Sequence, residues 1–206
     1  MRRRPIFSEL GRAMPFGIAV VTVLMLSQPL LRAANSPVTI GGPFTLTSPD
    51  GTTVTDQTYR GKWLLVYFGF TSCPDSCPTA LLEIAAALEK LGPDADKLQP
   101  LFITVDPQRD TPTVMGNYTQ SFDLRIVGLT GTPQQIAAVA QEYGAYFELR
   151  RSGPRAEDYV MDHSTYLYLM DADGKFVRGL NADTPGERIA ETVRSAMAKA
   201  RENASH

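Results

Sequence analysis

Cysteine and histidine are both scarce in this 206-residue chain, which has two of each. His206 is the last residue, where chains fray, so His163 is the one histidine left to carry chemistry. Basic clusters are missing as well. Beyond residue 40 no Lys/Arg cluster interleaves with aromatics, which argues against nucleic acid as a partner. Repeats and low-complexity tracts are absent, and 43% hydrophobic with 20% charged residues excludes a disordered or fibrous chain. The net charge of -2 conceals an asymmetry, because residues 1–34 hold five arginines and one acid, leaving about -6 on the remainder. That remainder is long enough for one domain with a full hydrophobic core.

The amino terminus reads as targeting. Arg2, Arg3 and Arg4 precede an apolar run of thirteen residues over 14–26, which reaches 18 when counted to Leu31. The shorter count suits a signal-peptide core, whereas a spanning helix needs about 20 residues. Leu31-Arg32-Ala33-Ala34 lacks a clean small-x-small cleavage pattern. We therefore expect residues 1–34 to be an uncleaved membrane anchor, with a cleaved signal as the alternative. The positive-inside rule then leaves the arginines in the cytoplasm and places the domain, residues 35–206, outside it.

Within that domain, residues 43–47 and 52–54 flank Ser48-Pro49-Asp50-Gly51 and read as two short strands about a turn. Residues 62–70 form an unbroken apolar and aromatic run, as expected of a strand buried on both faces. A helix follows the cysteines, with Leu81, Ile84, Leu88 and Leu91 in helical period and Gly92-Pro93 as its stop. Residues 101–105 make another buried strand, Thr111-Pro112 opens a second helix, and a short strand runs over 126–129. Thr132-Pro133-Gln134-Gln135 is a capping box for a third helix ending at Gly144. Residues 164–170 and 175–180, about Asp171-Ala172-Asp173-Gly174, read as a hairpin. Thr184-Pro185-Gly186-Glu187 reads as the capping box of the last helix. The order predicts an α/β fold with a mixed central sheet, helices on both faces, and an N-terminal β-hairpin extension.

Cys73 and Cys77 stand between a buried strand and a helix start, in Thr71-Ser72-Cys73-Pro74-Asp75-Ser76-Cys77-Pro78. A helix amino terminus favours thiolate over thiol, and thiolate is the form that binds metals and attacks disulfides. A purely structural disulfide closing so small a loop would constrain the unfolded chain little. His163 alone, in Tyr159-Val160-Met161-Asp162-His163-Ser164, reads as a hydrogen-bonded structural residue as readily as a ligand. In an α/β sheet, however, site residues gather at one strand edge, where Cys73, Cys77 and His163 can converge. Two thiolates and an imidazole suit Cu(I), a further donor would admit Cu(II), and zinc would accept the same set. Asp106 and Asp110 are candidates to approach a metal or partner; equally, Asp106-Pro107 reads as a turn and Asp110 or Thr111 as the cap of the next helix. Asp162 is a candidate to orient His163 or a solvated loop acid. Met161 reads as packing.

Three motifs then coincide in order: Tyr67-Phe68-Gly69-Phe70-Thr71-x-Cys73-Pro74-Asp75-x-Cys77-Pro78, Val105-Asp106-Pro107-x-Arg109-Asp110-Thr111-Pro112, and Asp162-His163-Ser164 before Asp171-x-Asp173-Gly174. Together, over roughly residues 38–200, they closely resemble the Sco/SenC family. The resemblance implies a thioredoxin-like three-layer fold on an amino-terminal membrane helix, facing the periplasm or the mitochondrial intermembrane space. It implies copper as the metal, one ion per chain, with Cys73, Cys77 and His163 as ligands. It also implies a Cys73–Cys77 pair that cycles through a disulfide. The expected role is a copper metallochaperone for the dinuclear copper centre of cytochrome c oxidase. The partners this implies are the oxidase's copper-receiving subunit, a second periplasmic copper chaperone as candidate donor, and the bacterial inner membrane. Ser72 departs from the pattern, since many relatives carry histidine there.

The main alternative is a thiol-disulfide oxidoreductase that keeps target cysteines reduced. Against it stand the C-x-x-x-C spacing, where such enzymes use C-x-x-C, and the lack of a proline near Ser164, where their cis-proline lies. A peroxidase of the same fold needs a single activated cysteine in its own pattern, which is missing. A copper or redox sensor would share every feature of the donor.

Overall fold

A computed structural model describes residues 39–205. The expected anchor over 1–34 lies outside the described residues, among which no helix is long and apolar enough to cross a membrane. The first two strands, β1 (Thr45–Thr47) and β2 (Thr53–Thr55), pair as the expected antiparallel hairpin. The apolar run becomes β3 (Trp63–Gly69), buried along its whole length. It is followed by α1 (Ser76–Leu91), β4 (Leu98–Thr104), α2 (Pro112–Gln120), β5 (Val127–Leu129) and α3 (Pro133–Tyr143). The Thr132–Gln135 capping box is formed in both directions, and α3 closes on Gly144 in the left-handed conformation.

Sheet order places β3 at the centre of five strands, β5-β4-β3-β8-β9, where β8 is Tyr166–Met170 and β9 is Phe176–Asn181. β3, β4 and β5 run parallel, while β8 and β9 are antiparallel to their neighbours. The connections β3-α1-β4 and β4-α2-β5 step the same way across the sheet, so right-handed crossovers put α1 and α2 on one face. Alternation along β3 reports the two faces. Tyr67 reaches Cys77 of α1 on the first, and Phe68 packs edge-on against Tyr143 of α3 on the second. The last helix, α4 (Gly186–Ala204), packs on α1. The result is the thioredoxin-like, mixed-sheet fold expected from the sequence.

Two local expectations change. The Thr184–Glu187 box does not cap α4. Pro185 is the N-cap, with no side-chain cap bond, and the Gly186 N–H donates instead to Glu83 Oε2 of α1 at 2.6 Å. A partner 103 residues away thus does the work of a local cap. In addition, β6 (Phe147–Arg151) and β7 (Tyr159–His163) form a separate two-stranded antiparallel sheet. His163 therefore ends a strand, β7, that is absent from the sequence-based expectation.

Candidate metal centre

The site lies where β3 ends and α1 begins. The chain must turn sharply here, and the Cys73 N–H closes the turn by donating to the Phe70 carbonyl at 3.2 Å. Asp75 occupies the N-cap of α1 with no side-chain cap bond. The Cys73 sulfur stands in for that side chain, accepting from the Cys77 N–H at 3.4 Å. Ser76 Oγ lies 3.4 Å from the same sulfur. Cys77, in the first turn of α1, faces the sheet and is fully enclosed, while Cys73 is 9% exposed. Both are unpaired thiols.

β7 brings in the third group. His163 Nε2 stands 3.6 Å from Cys77 Sγ, and Nδ1 is 2.9 Å from the Ser164 carbonyl. That carbonyl can only accept, so Nδ1 carries the proton and Nε2 presents its lone pair to the sulfurs. Phe70 and Tyr67 meet the imidazole edge-on, at centroid distances of 5.8 and 6.1 Å. Donor atoms of Cys73, Cys77 and His163 all lie within 4.8 Å of one another. Among the described residues this is the group of His, Cys, Asp and Glu able to hold a metal ion.

The two thiols are driven apart in acidity. Hydrogen bonding from Cys77 holds the Cys73 thiol well below the ordinary thiol range, against the opposing cost of burial, with Ser76 adding to the effect. The same hydrogen bond, then burial, pushes the Cys77 thiol up. Burial, followed by the nearby Cys77, also raises the Tyr67 phenol, which stays protonated and donates to Cys77 Sγ at 3.9 Å. One outcome is measurable on the reduced, metal-free chain. Iodoacetamide should modify Cys73 first, because only a lowered pKa keeps thiolate present as pH falls. The rate should hold at about pH 6, more than two units below an ordinary thiol's value of about 8.5. A reactivity midpoint at that ordinary value would refute the assignment.

The acidic candidates sit elsewhere. Asp106 accepts from Arg109 Nε and from the Tyr159 hydroxyl at 2.9 Å, and the Asp106-Pro107 segment is indeed a turn, closed by Asp110 N–H to the Asp106 carbonyl at 3.0 Å. Thr111 is the N-cap of α2. Asp110 is fully buried and takes three hydrogen bonds, from the Thr71 N–H, the Thr71 hydroxyl and the Thr104 hydroxyl, at 3.0, 2.6 and 2.6 Å. Asp162 is exposed and pairs with Arg150 at 3.0 Å, while the histidine is oriented by Ser164. Met161 is buried in the core. Sequence reasoning missed Thr71, Thr104, Tyr159 and Gly69; the Thr71 and Tyr159 contacts bridge 39 and 53 residues, beyond any local pattern.

A family model described as SCO1/SenC matches residues 32–198. SenC of Rhodobacter capsulatus is 44% identical over 154 residues, covering 75% of this chain and 69% of its own. Protein sco1 of Schizosaccharomyces pombe is 39% identical over 158 residues, 76% of this chain and 60% of its own. The chain spans little more than half the length of several mitochondrial relatives, 54% for SCO2 of Saccharomyces cerevisiae and 53% for the human SCO1 homolog. The structure of Bradyrhizobium japonicum ScoI with copper bound aligns with a TM-score of 0.70 at 46% identity, covering 76% of this chain and 98% of that one. With the motifs, the sheet order and the matched length in agreement, the chain belongs to the SCO1/SenC family.

Proposed function

We propose that this chain binds one copper ion through Cys73, Cys77 and His163 and hands it to the copper-receiving subunit of cytochrome c oxidase. The observation that carries this reading is the convergence of two sulfurs and a free imidazole nitrogen within 4.8 Å. Such a set is soft and matches Cu(I), and one more oxygen or nitrogen donor would complete a Cu(II) site. That a 46% identical relative was captured with copper bound supports the choice of copper over zinc. Copper is cargo here. The thiolate held at Cys73 offers the first sulfur without waiting for deprotonation, and a partner's thiolates would then replace the ligands one at a time. Residues 1–34 support a domain tethered to the bacterial inner membrane on its periplasmic side, with a second copper chaperone as donor.

The test is the copper content and spectrum of the purified full-length chain beside Cys73→Ala, Cys77→Ala and His163→Ala. One copper per chain is expected, with sulfur-to-copper absorption that each cysteine substitution abolishes and His163→Ala alters. Copper held equally well without His163 would sink the ligand assignment.

The asymmetry of the cysteines favours a second reading, thiol exchange. An acidic, reachable Cys73 beside a buried Cys77 resembles an attacking thiolate and its resolving partner. In that chemistry Cys73 attacks a target disulfide, Cys77 displaces the mixed disulfide, and two electrons pass to the target. Steady turnover of a disulfide substrate by metal-free protein, with a thiol reductant regenerating the pair, would establish it.

A further inference from the structure

The histidine rides on an element that the central sheet does not hold. β6 and β7 pair only with each other, and residues 148–151 of β6 are exposed. Among the described residues, besides ring contacts, three hydrogen bonds fasten β7 to the body that carries the cysteines. One is His163 itself, against Cys77. The other two meet at Tyr159, the opposite end of β7. Its hydroxyl donates to Asp106 Oδ1 at 2.9 Å, and its carbonyl accepts from Arg109 Nη1 at 3.3 Å. The Arg109 guanidinium stacks 3.9 Å from the Tyr159 ring centroid while its Nε pairs with Asp106. The guanidinium carbon also lies 5.9 Å from the centroid of the Phe70 ring, the ring that His163 meets edge-on. Met161 and Phe147 add apolar contact, but such contact is non-directional and does not by itself fix where an imidazole points.

We propose that Arg109 and Tyr159, seated on Asp106, are positioning residues for His163. They clamp β7 so that Nε2 faces the sulfurs, and releasing the clamp leaves the two sulfurs in place while removing the nitrogen. Tyr159, Met161 and His163 alternate on one face of β7, so a shift at Tyr159 is carried along the strand to His163. The inference rests on the copper reading.

The experiment loads the full-length chain with Cu(II) and reads sulfur-to-copper absorption, nitrogen hyperfine coupling by electron paramagnetic resonance, and copper affinity. Arg109→Met should keep the sulfur absorption, lose the nitrogen coupling, and weaken affinity on the order of 10–100-fold, as loss of groups supporting a ligand does. Arg109→Lys should fall between it and the parent. Tyr159→Phe, which keeps the ring beneath the guanidinium, should show the milder change and serves if Arg109→Met fails to fold. The decisive comparison is Arg109→Met in a His163→Ala background. If the clamp acts through the histidine, the second substitution adds no further loss of affinity. A full additive loss there, or nitrogen coupling unchanged in both Arg109→Met and Tyr159→Phe, would overturn the proposal. A parent without copper or without nitrogen coupling would instead sink the copper reading on which it stands.

Discussion

Gly69→Ala is expected to cost the chain its copper while leaving it folded. Gly69 ends β3, directly beneath the first turn of α1. A methyl group there would stand 2.6 Å from Cys77 Sγ and 2.6 Å from Cε2 of Phe102, distances no carbon tolerates. Neither neighbour can step aside freely. Cys77 is fixed by its helix and by Tyr67, and Phe102 is fully buried, tilted against Tyr67 at a centroid distance of 6.0 Å. Over-packing of this kind costs about 1–3 kcal/mol, which a domain of this size survives. The functional effect is larger, because the relief comes from moving the sulfur that faces His163. We expect affinity for Cu(I) to fall by at least the order of 100-fold seen when a ligand's support is lost. Competition with a chromogenic copper chelator, run beside thermal melting, separates the two effects. Parent-like affinity in a folded alanine variant would show that Cys77 needs no such close approach.

Asp110→Ala should be the most destabilising single change near the site that leaves every ligand intact. Its carboxylate accepts three hydrogen bonds inside the protein, and Thr71, which makes two of them, leads into the cysteine loop. Alanine would leave three donors without an acceptor, at about 1–3 kcal/mol for each one buried. The hydroxyls of Thr71 and Thr104 can rotate in search of other partners, so we expect a net loss of about 3 kcal/mol. The Thr71 N–H cannot rotate, and its loss should loosen the turn before Cys73. Asp110→Asn keeps one acceptor and should lie between. Urea unfolding of the metal-free chain measures this, and a loss under about 1 kcal/mol would mean that the carboxylate is not what holds the loop.

These two residues also mark where reading the sequence ran out. The cysteine pair, β3, the α3 capping box and the hairpin of β8 and β9 were legible because each depends on neighbours in the chain: a run, a spacing, a cap. His163 was legible as a site residue, but its strand was not. Phe147-Glu148-Leu149-Arg150-Arg151 alternates over only four residues, carries three charges in five and is mostly exposed, so it gives only a weak strand signal for β6. Asp110 and Thr111 looked interchangeable as helix caps, and only the fold shows that Thr111 caps while Asp110 is drawn 39 residues back to Thr71. Thr184 looked like a cap and yields to Glu83 for the same reason, a contact that sequence distance hides. Gly69 gave no local signal, since it has no special backbone angle. Its requirement is the space taken by another residue's sulfur.

The unequal enclosure of the three donors has a consequence for traffic through the site. Cys73 and His163 keep some surface, and the Cys77 sulfur has none. On the delivery reading proposed above, a visiting protein would reach Cys73 and His163 first, and the bond at Cys77 would be the last to break. Arrival would run in reverse, with an incoming ion meeting the two outer donors before the innermost sulfur. Depth within the wall would then set the order of exchange: the deepest donor acts as an axle, and the two outer ones open and close around it.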